Sequence, residues 1–220
     1  MLLKHLEAEN VLFDKDNIFQ QMETSVSLVL IDGDGERTFV GNREGSVRKL
    51  DAQHIRIDRD ARIVSFASLF ISPLLDNEKL EILFRQIKAE GKILCVDCST
   101  PKNSETIRDM SCLSHADYFF CNLSEAMTLC RCDDIEEIDR ICADAGINAI
   151  IKCGKKGCFH QGRYLTGEPL NEVNDSTGAG NSFVSGFILS LLKGKTFPEC
   201  IETANSFGRK ACEHIGATQW

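Results

Sequence analysis

The sequence predicts an α/β fold: a doubly wound, mostly parallel sheet with helices on both faces, plus a small β-hairpin nearer the amino terminus. Three observations lead there. From residue 61 onward, short apolar runs alternate with longer segments of helical periodicity. The short runs are apolar throughout rather than at every second position, as strands covered on both faces are. Polar or glycine-rich clusters follow several of the runs directly, where open parallel sheets bind their ligands.

In chain order, Met1 to Ala8 reads as a helix with Leu2, Leu3 and Leu6 on one side. Thr24 to Ile31 has partial alternation and β-branched residues, Asp32-Gly33-Asp34-Gly35 supplies a tight turn, and Glu36 to Val40 returns. Residues 24–41 are therefore a hairpin. Arg62 to Leu69 is an apolar strand. Asn77 to Glu90 is an amphipathic helix with Leu80, Leu83, Phe84 and Ile87 on one face, stopped by Gly91. Lys92 to Asp97 is the next strand, Ala116 to Cys121 the third and Asn148 to Lys152 the fourth. Ile135 to Ala145 is a helix stopped by Gly146. Cys158 to Gln161 adds a short strand, and a closing helix is expected from Ala204 to Ala217. Right-handed crossovers follow from the parallel arrangement. The chain of 220 residues is long enough for one domain with a substantial core, and no linker divides it.

The charge balance excludes some functions. With 25 basic and 33 acidic residues the net charge is −8, which offers no basic surface to nucleic acid or to an anionic membrane. No apolar run reaches the roughly 18 residues of a membrane span. The N-terminal helix is too charged for a secretion signal, so the 11 cysteines are expected as reduced thiols in the cytoplasm. Cys95 and Cys98 have the spacing of a redox or zinc pair, but no second pair follows. They read as small buried hydrophobes at a strand end. The five histidines form no ligand spacing, and His160 and His214 are assigned to surface or packing.

Candidate chemistry concentrates in Asn174-Asp175-Ser176-Thr177-Gly178-Ala179-Gly180-Asn181, which opens the apolar helical run starting at Phe183. Asp175, Ser176 or Thr177 can cap that helix. Gly178 and Gly180 leave its first amides unscreened at the positive end of the helix dipole, a ready anion site. Three more clusters stand after strands: Asp97-Cys98-Ser99-Thr100-Pro101-Lys102, Asn122-Leu123-Ser124-Glu125 and Lys152-Cys153-Gly154-Lys155-Lys156-Gly157. Asn122 and Glu125 also have the spacing of a helix cap and its reciprocal partner. Gly154 and Gly157 let a backbone approach phosphate, and they equally suit a plain turn.

The run Asp175-Ser176-Thr177-Gly178-Ala179-Gly180-Asn181 resembles the C-terminal signature of the ribokinase-like (PfkB) carbohydrate kinases, Asp-Thr-x-Gly-Ala-Gly-Asp. The resemblance implies a ribokinase-like fold and transfer of a phosphoryl group from ATP to a hydroxyl of a sugar-like substrate. Magnesium, and a monovalent cation, are the implied cofactors. Gly178, Ala179 and Gly180 become the anion hole, and residue 181 takes the position of the catalytic base. Here that residue is Asn181, which hydrogen-bonds a hydroxyl but cannot take its proton at neutral pH. Impaired activity is expected, since a positioned base contributes about 10²–10⁴-fold.

The other clusters extend the resemblance. Asn122 and Glu125 match the family's Asn-x-x-Glu motif and would organise magnesium, held through water, and the nucleotide phosphates. Lys152, Gly154 and Gly157 resemble the Gly-x-x-Gly turn beside ATP. Asn205 falls where the closing helix would lie along the adenine. Asp97 matches the first residue of the Asp-Pro-Asn-x-Arg box on the acceptor side. The Asn and Arg of that box are missing, and Lys102 offers a cation one residue late. The hairpin resembles part of the lid sheet, which implies pairing of two copies. The family's N-terminal section, with its sugar-binding Asp and Gly-Gly-x-x-x-Asn box, has no counterpart. Residues 1–220 are thus expected to form a single ribokinase-like domain without that section. A non-catalytic nucleotide-binding or regulatory protein, and a kinase for a nucleoside or vitamin alcohol, are the competing readings.

Overall fold

The structure, a computed structural model, describes residues 2–13, 26–31, 37–41, 50–99, 109–169 and 173–216. The expected turn at Asp32 to Gly35, the cation Lys102 and the end of the chain at Ala217 lie outside the described residues. Helix α1 spans Leu2–Ala8. Strands β1 (Ser27–Ile31) and β2 (Arg37–Gly41) pair antiparallel, Leu28 opposite Val40, and form the expected hairpin.

The main sheet has six strands in the order β3 (Ile63–Leu69), β4 (Ile93–Cys98), β5 (Tyr118–Asn122), β6 (Ala149–Lys152), β7 (Cys158–His160), β8 (Arg163–Leu165). The first four run parallel and the last two antiparallel. Strand β8 goes beyond the sequence expectation. Gln161 and Gly162 have φ of 48° and 76°, so both central residues of the two-residue turn lie in the left-handed region. That backbone matches the twist of the flanking strands and turns the chain straight back.

The helices are α2 (Asn77–Ala89), α3 (Leu123–Cys130), α4 (Ile135–Asp144), α5 (Ala179–Leu192) and α6 (Phe197–Ala211). The closing helix corrects the expectation of Ala204 to Ala217. It starts seven residues earlier, where Thr196 and Glu199 form a capping box and Pro198 sits in the first turn, and it ends at Ala211. Asp76 caps α2 by accepting from the Lys79 amide, and Asp134 caps α4 by accepting from Glu137. Among the described residues no helix is long and apolar enough to cross a membrane.

Side-chain parity distributes the core over both faces. Leu94, Val96 and Cys98 of β4, Phe119 and Cys121 of β5 and Ile151 of β6 pack with Leu80, Phe84 and Ile87 of α2 and with Ile138 and Cys142 of α4. Cys95, Phe120 and Ile150 face the other way, onto Phe183, Val184 and Phe187 of α5 and Cys200, Ile201 and Ala204 of α6. Cys95 and Cys98 therefore belong to opposite faces and cannot act as a pair. Burial pushes the Cys95 thiol up to about 12 and raises Cys98 as well. Strand β3 departs from the buried pattern: it is an edge, and Ser65 and Ala67 are exposed. His160 is a core residue, with Nδ1 2.8 Å from the Ala149 carbonyl and the ring against Phe197.

Candidate functional site

The same parity decides what stands at the carboxyl edge of the sheet. Asp97 follows Cys95 by two residues, Asn122 follows Phe120 and Lys152 follows Ile150. All three polar side chains therefore emerge on the α5 side of the sheet, at neighbouring strand ends. Asn122 and Lys152 are register partners. Lys152 Nζ donates to Asp97 Oδ1 at 2.6 Å, with both side chains largely buried. Burial raises the Asp97 carboxyl above its ordinary range, while the ammonium of Lys152 acts in the opposite sense.

Helix α5 begins directly opposite. Its N-cap is Gly178, at φ 84°, and no side chain caps it. This corrects the expected cap. Asp175 is turned the other way, accepting from the amide and hydroxyl of Thr177 through Oδ1 and from the Gly216 amide through Oδ2. Ser176 accepts from Ala179 through its carbonyl, at 3.2 Å, whereas the amides of Gly180 and Asn181 meet no acceptor among the described residues. Asn181 is exposed in the first turn. A Cβ placed on Gly180 would lie 3.5 Å from Lys152 Nζ, so the ammonium stands at the mouth of the helix.

A cleft of about 320 Å³ opens between this mouth, the turn after β6 and helix α6. Lys152, Gly154, Gly157, Ala179, Gly180 and Asn205, all singled out from the sequence, line it. The two glycines of the turn differ. Gly154, at φ 58°, has open space where a Cβ would be, while a Cβ on Gly157 would lie 2.3 Å from the Leu165 carbonyl oxygen. Gly157 is thus required by the fit of β8 as well as by the cleft. Of the two lysines in the turn, Lys155 lines the cleft and Lys156 lies over the Tyr164 ring at 5.4 Å. Asn205 is partly committed, since its side-chain amide donates to the Leu165 carbonyl.

Asn122 is the register partner of Lys152, but neither it nor Glu125 in the first turn of α3 lines the cleft. The Asn122 side chain accepts from the Glu125 amide and the Glu125 carboxylate accepts from the Asn122 amide, each at 2.8 Å. Arg209, Gly208 and Phe183 line the cleft without having been singled out. Arg209 stands one turn after Asn205 on the same face of α6, near Glu168 at 3.4 Å. Both residues fall within the expected helix as well as the observed one, so the i+4 spacing to Asn205 is the sequence signal for Arg209. Gly208 approaches the Ala179 carbonyl, to 3.3 Å for a notional Cβ, which brings α6 against the start of α5.

Comparisons with known proteins bear on the family and the fold. The chain is 25% identical to the 2-dehydro-3-deoxygluconokinase of Haemophilus influenzae, covering 98% of this chain and 76% of that protein. The fructokinase of Vibrio cholerae, solved with fructose, ADP and a calcium ion, superposes with a TM-score of 0.77 at 21% identity, over 98% of this chain and 76% of the other. A double mutant of that fructokinase is known with fructose, ADP and potassium. The adenosine kinase of Sinorhizobium meliloti gives a TM-score of 0.77 at 19% identity, over 99% and 69% of the two chains. The pfkB family carbohydrate kinase profile matches residues 1–219, and the chain accordingly belongs to that family of phosphotransferases.

Proposed function

We propose that this chain binds ATP in the cleft between the turn after β6, the mouth of α5 and helix α6, and transfers its terminal phosphoryl group to a hydroxyl of a sugar-like substrate. The observation that carries the reading is the uncapped start of α5, whose free amides face a buried lysine among the strand ends. Gly178, Ala179 and Gly180 stabilise the charge on the phosphoryl group in flight, the contribution that usually dominates such transfers. Gly154 and Gly157 admit the nucleotide's phosphates to the turn, and Asn205 stands on the adenine side. Asp97 lies on the acceptor side.

The donor set suits magnesium. Among the described residues no group of three or more His, Cys, Asp or Glu could hold a metal ion. The oxygens of Asn122 and Glu125, acting through water, match an ion that keeps its waters and takes few carboxylates. Magnesium held there with the nucleotide would supply neutralisation of phosphate charge. A monovalent cation is part of the same proposal.

In the reaction, the acceptor oxygen bonds to the γ-phosphorus, the bond from that phosphorus to the bridging oxygen breaks, and ADP departs with the electron pair. The acceptor's proton passes to solvent, because Asn181 cannot take it. Slow turnover follows. Asn181 also favours a second reading, a protein that binds nucleotide without chemistry. Calorimetry with ATP and magnesium, beside radiolabelled phosphoryl transfer to a panel of sugars and nucleosides, separates the two. Binding with measurable transfer supports the kinase. Binding with no transfer to any acceptor supports the second reading, and no nucleotide binding overturns both.

Two copies are proposed to pair through the hairpin, where Leu28, Leu30 and Val40 are each at least half exposed. Sedimentation of the wild type against Leu30→Asp tests this, with a concentration-dependent dimer expected only for the former. A cytoplasmic location is proposed from the free thiols.

A further inference from the structure

The ion pair of Asp97 and Lys152 sits where the fold has no need of one. Two residues earlier on the same face, Cys95 and Ile150 are apolar and fully buried. Extending that apolar layer to the strand ends would cover α5 as well, since a buried ion pair is rarely more stabilising than apolar residues of similar volume. The pair nevertheless fixes an ammonium group at one point. Lys152 Nζ donates to Asp97 Oδ1 at 2.6 Å and lies 3.5 Å from the position of a Cβ on Gly180. The ammonium has three protons to donate. Only one of them has an acceptor among the described residues, although the side chain is just 14% exposed. The remaining two stand beside the open amides of α5, and Lys152 lines the cleft. Asp97 Oδ2 receives no hydrogen bond among the described residues.

We propose that Lys152 receives the terminal phosphoryl group of the nucleotide, and that Asp97 is the positioning residue that holds its ammonium at the mouth of α5. The proposal rests on the phosphotransfer reading above. An ammonium desolvated by its own ion pair and left with two unused donors needs little reorganisation to meet a phosphate oxygen. The cation reaches Asp97 of β4 from strand β6, across the intervening β5, rather than from the segment that follows Asp97.

The test is calorimetry of ATP, ADP and AMP binding to the full chain, with magnesium, for the wild type and three variants. Lys152→Met should weaken ATP binding about tenfold to a hundredfold, the loss of a charge-assisted hydrogen bond. AMP binding should hold within about twofold, so that the preference for ATP over ADP collapses. Asp97→Asn keeps the ammonium but releases it, and should lose a smaller part of the same preference. Lys152→Met alone strands a buried carboxylate, which destabilises the fold. The double variant Asp97→Leu with Lys152→Met removes both charges and should keep a wild-type melting temperature while losing the ATP preference. If ATP binds and neither Lys152→Met nor the double variant changes its ratio to ADP, this inference fails while the kinase reading stands. An unchanged ratio in Asp97→Asn removes the positioning role of Asp97. A wild type that binds none of the three nucleotides sinks the phosphotransfer reading, and the inference with it.

Discussion

Helices α3 and α5 both begin at the carboxyl edge of the sheet, and they treat their first amides in opposite ways. At α3, Asn122 and Glu125 close the terminus with two reciprocal hydrogen bonds of 2.8 Å. At α5, the N-cap is a glycine with no side-chain cap, and Asp175 is engaged elsewhere. A closed terminus has met its own needs and contributes to stability. An open one retains its partial positive charge for something outside the protein. The Asn-x-x-Glu spacing is thus first a cap, and any part it plays toward metal or phosphate is played with side chains already tied to the backbone. The open mouth of α5 carries a polar obligation that the fold does not discharge.

The substitution that most sharply breaks this contrast is Asn181→Asp. It adds a carboxylate to the open mouth only, and phosphoryl transfer should rise by about 10²–10⁴-fold in a steady-state assay of ADP release. If the rate stays flat with every acceptor in the panel, residue 181 is not where the proton goes. Next comes the turn after β6. Gly157→Ala must force apart a Cβ and a carbonyl oxygen 2.3 Å away, and should cost about 2–3 kcal/mol by urea unfolding. Gly154→Ala faces only its positive φ and should cost about 1 kcal/mol. Equal losses would show that strand β8 does not press on Gly157.

Asn122→Ala opens the closed terminus of α3 and should cost about 1 kcal/mol in the same measurement. A change much below that would mean that the cap is dispensable. The smallest effect concerns pH. The backbone amide of Thr196, followed by its hydroxyl and by Lys195, holds the Glu199 carboxyl down at about 2, against an ordinary value of 4.5. Since the folded value is the lower one, its stabilising contribution is present above about 4.5 and is lost as the pH falls toward 2. Glu199→Gln should therefore flatten stability across that acid window and leave the neutral range almost unaltered, as read from melting temperatures against pH. An acid limb as steep as that of the wild type would remove Glu199 as its source.

Much of the fold was legible because local chemistry and tertiary demand agree along β4, α2, β5, α4 and β6. Continuous apolar strands and a helix stripe of Leu80, Leu83, Phe84 and Ile87 have few other ways to leave water. The start of α6 was missed because its signal, Thr196 to Glu199, is a cap rather than an apolar stripe. Strand β8 escaped notice because three residues are too few to show a period. The cap of α5 was misread because Asp, Ser and Thr at the right spacing can all cap, and only the fold turns Asp175 toward Gly216, 41 residues away.

The sequence by itself determined the α/β class, the family, the three clusters at the strand ends and the glycine-rich start of α5, since periodicity and glycine spacing are local properties. Only the tertiary structure decided which clusters meet. Strand order and side-chain parity set Asp97 on β4 beside Lys152 on β6, 55 residues apart, and turned both toward the mouth of α5. Such a pairing is a product of register between distant strands, which no local pattern encodes.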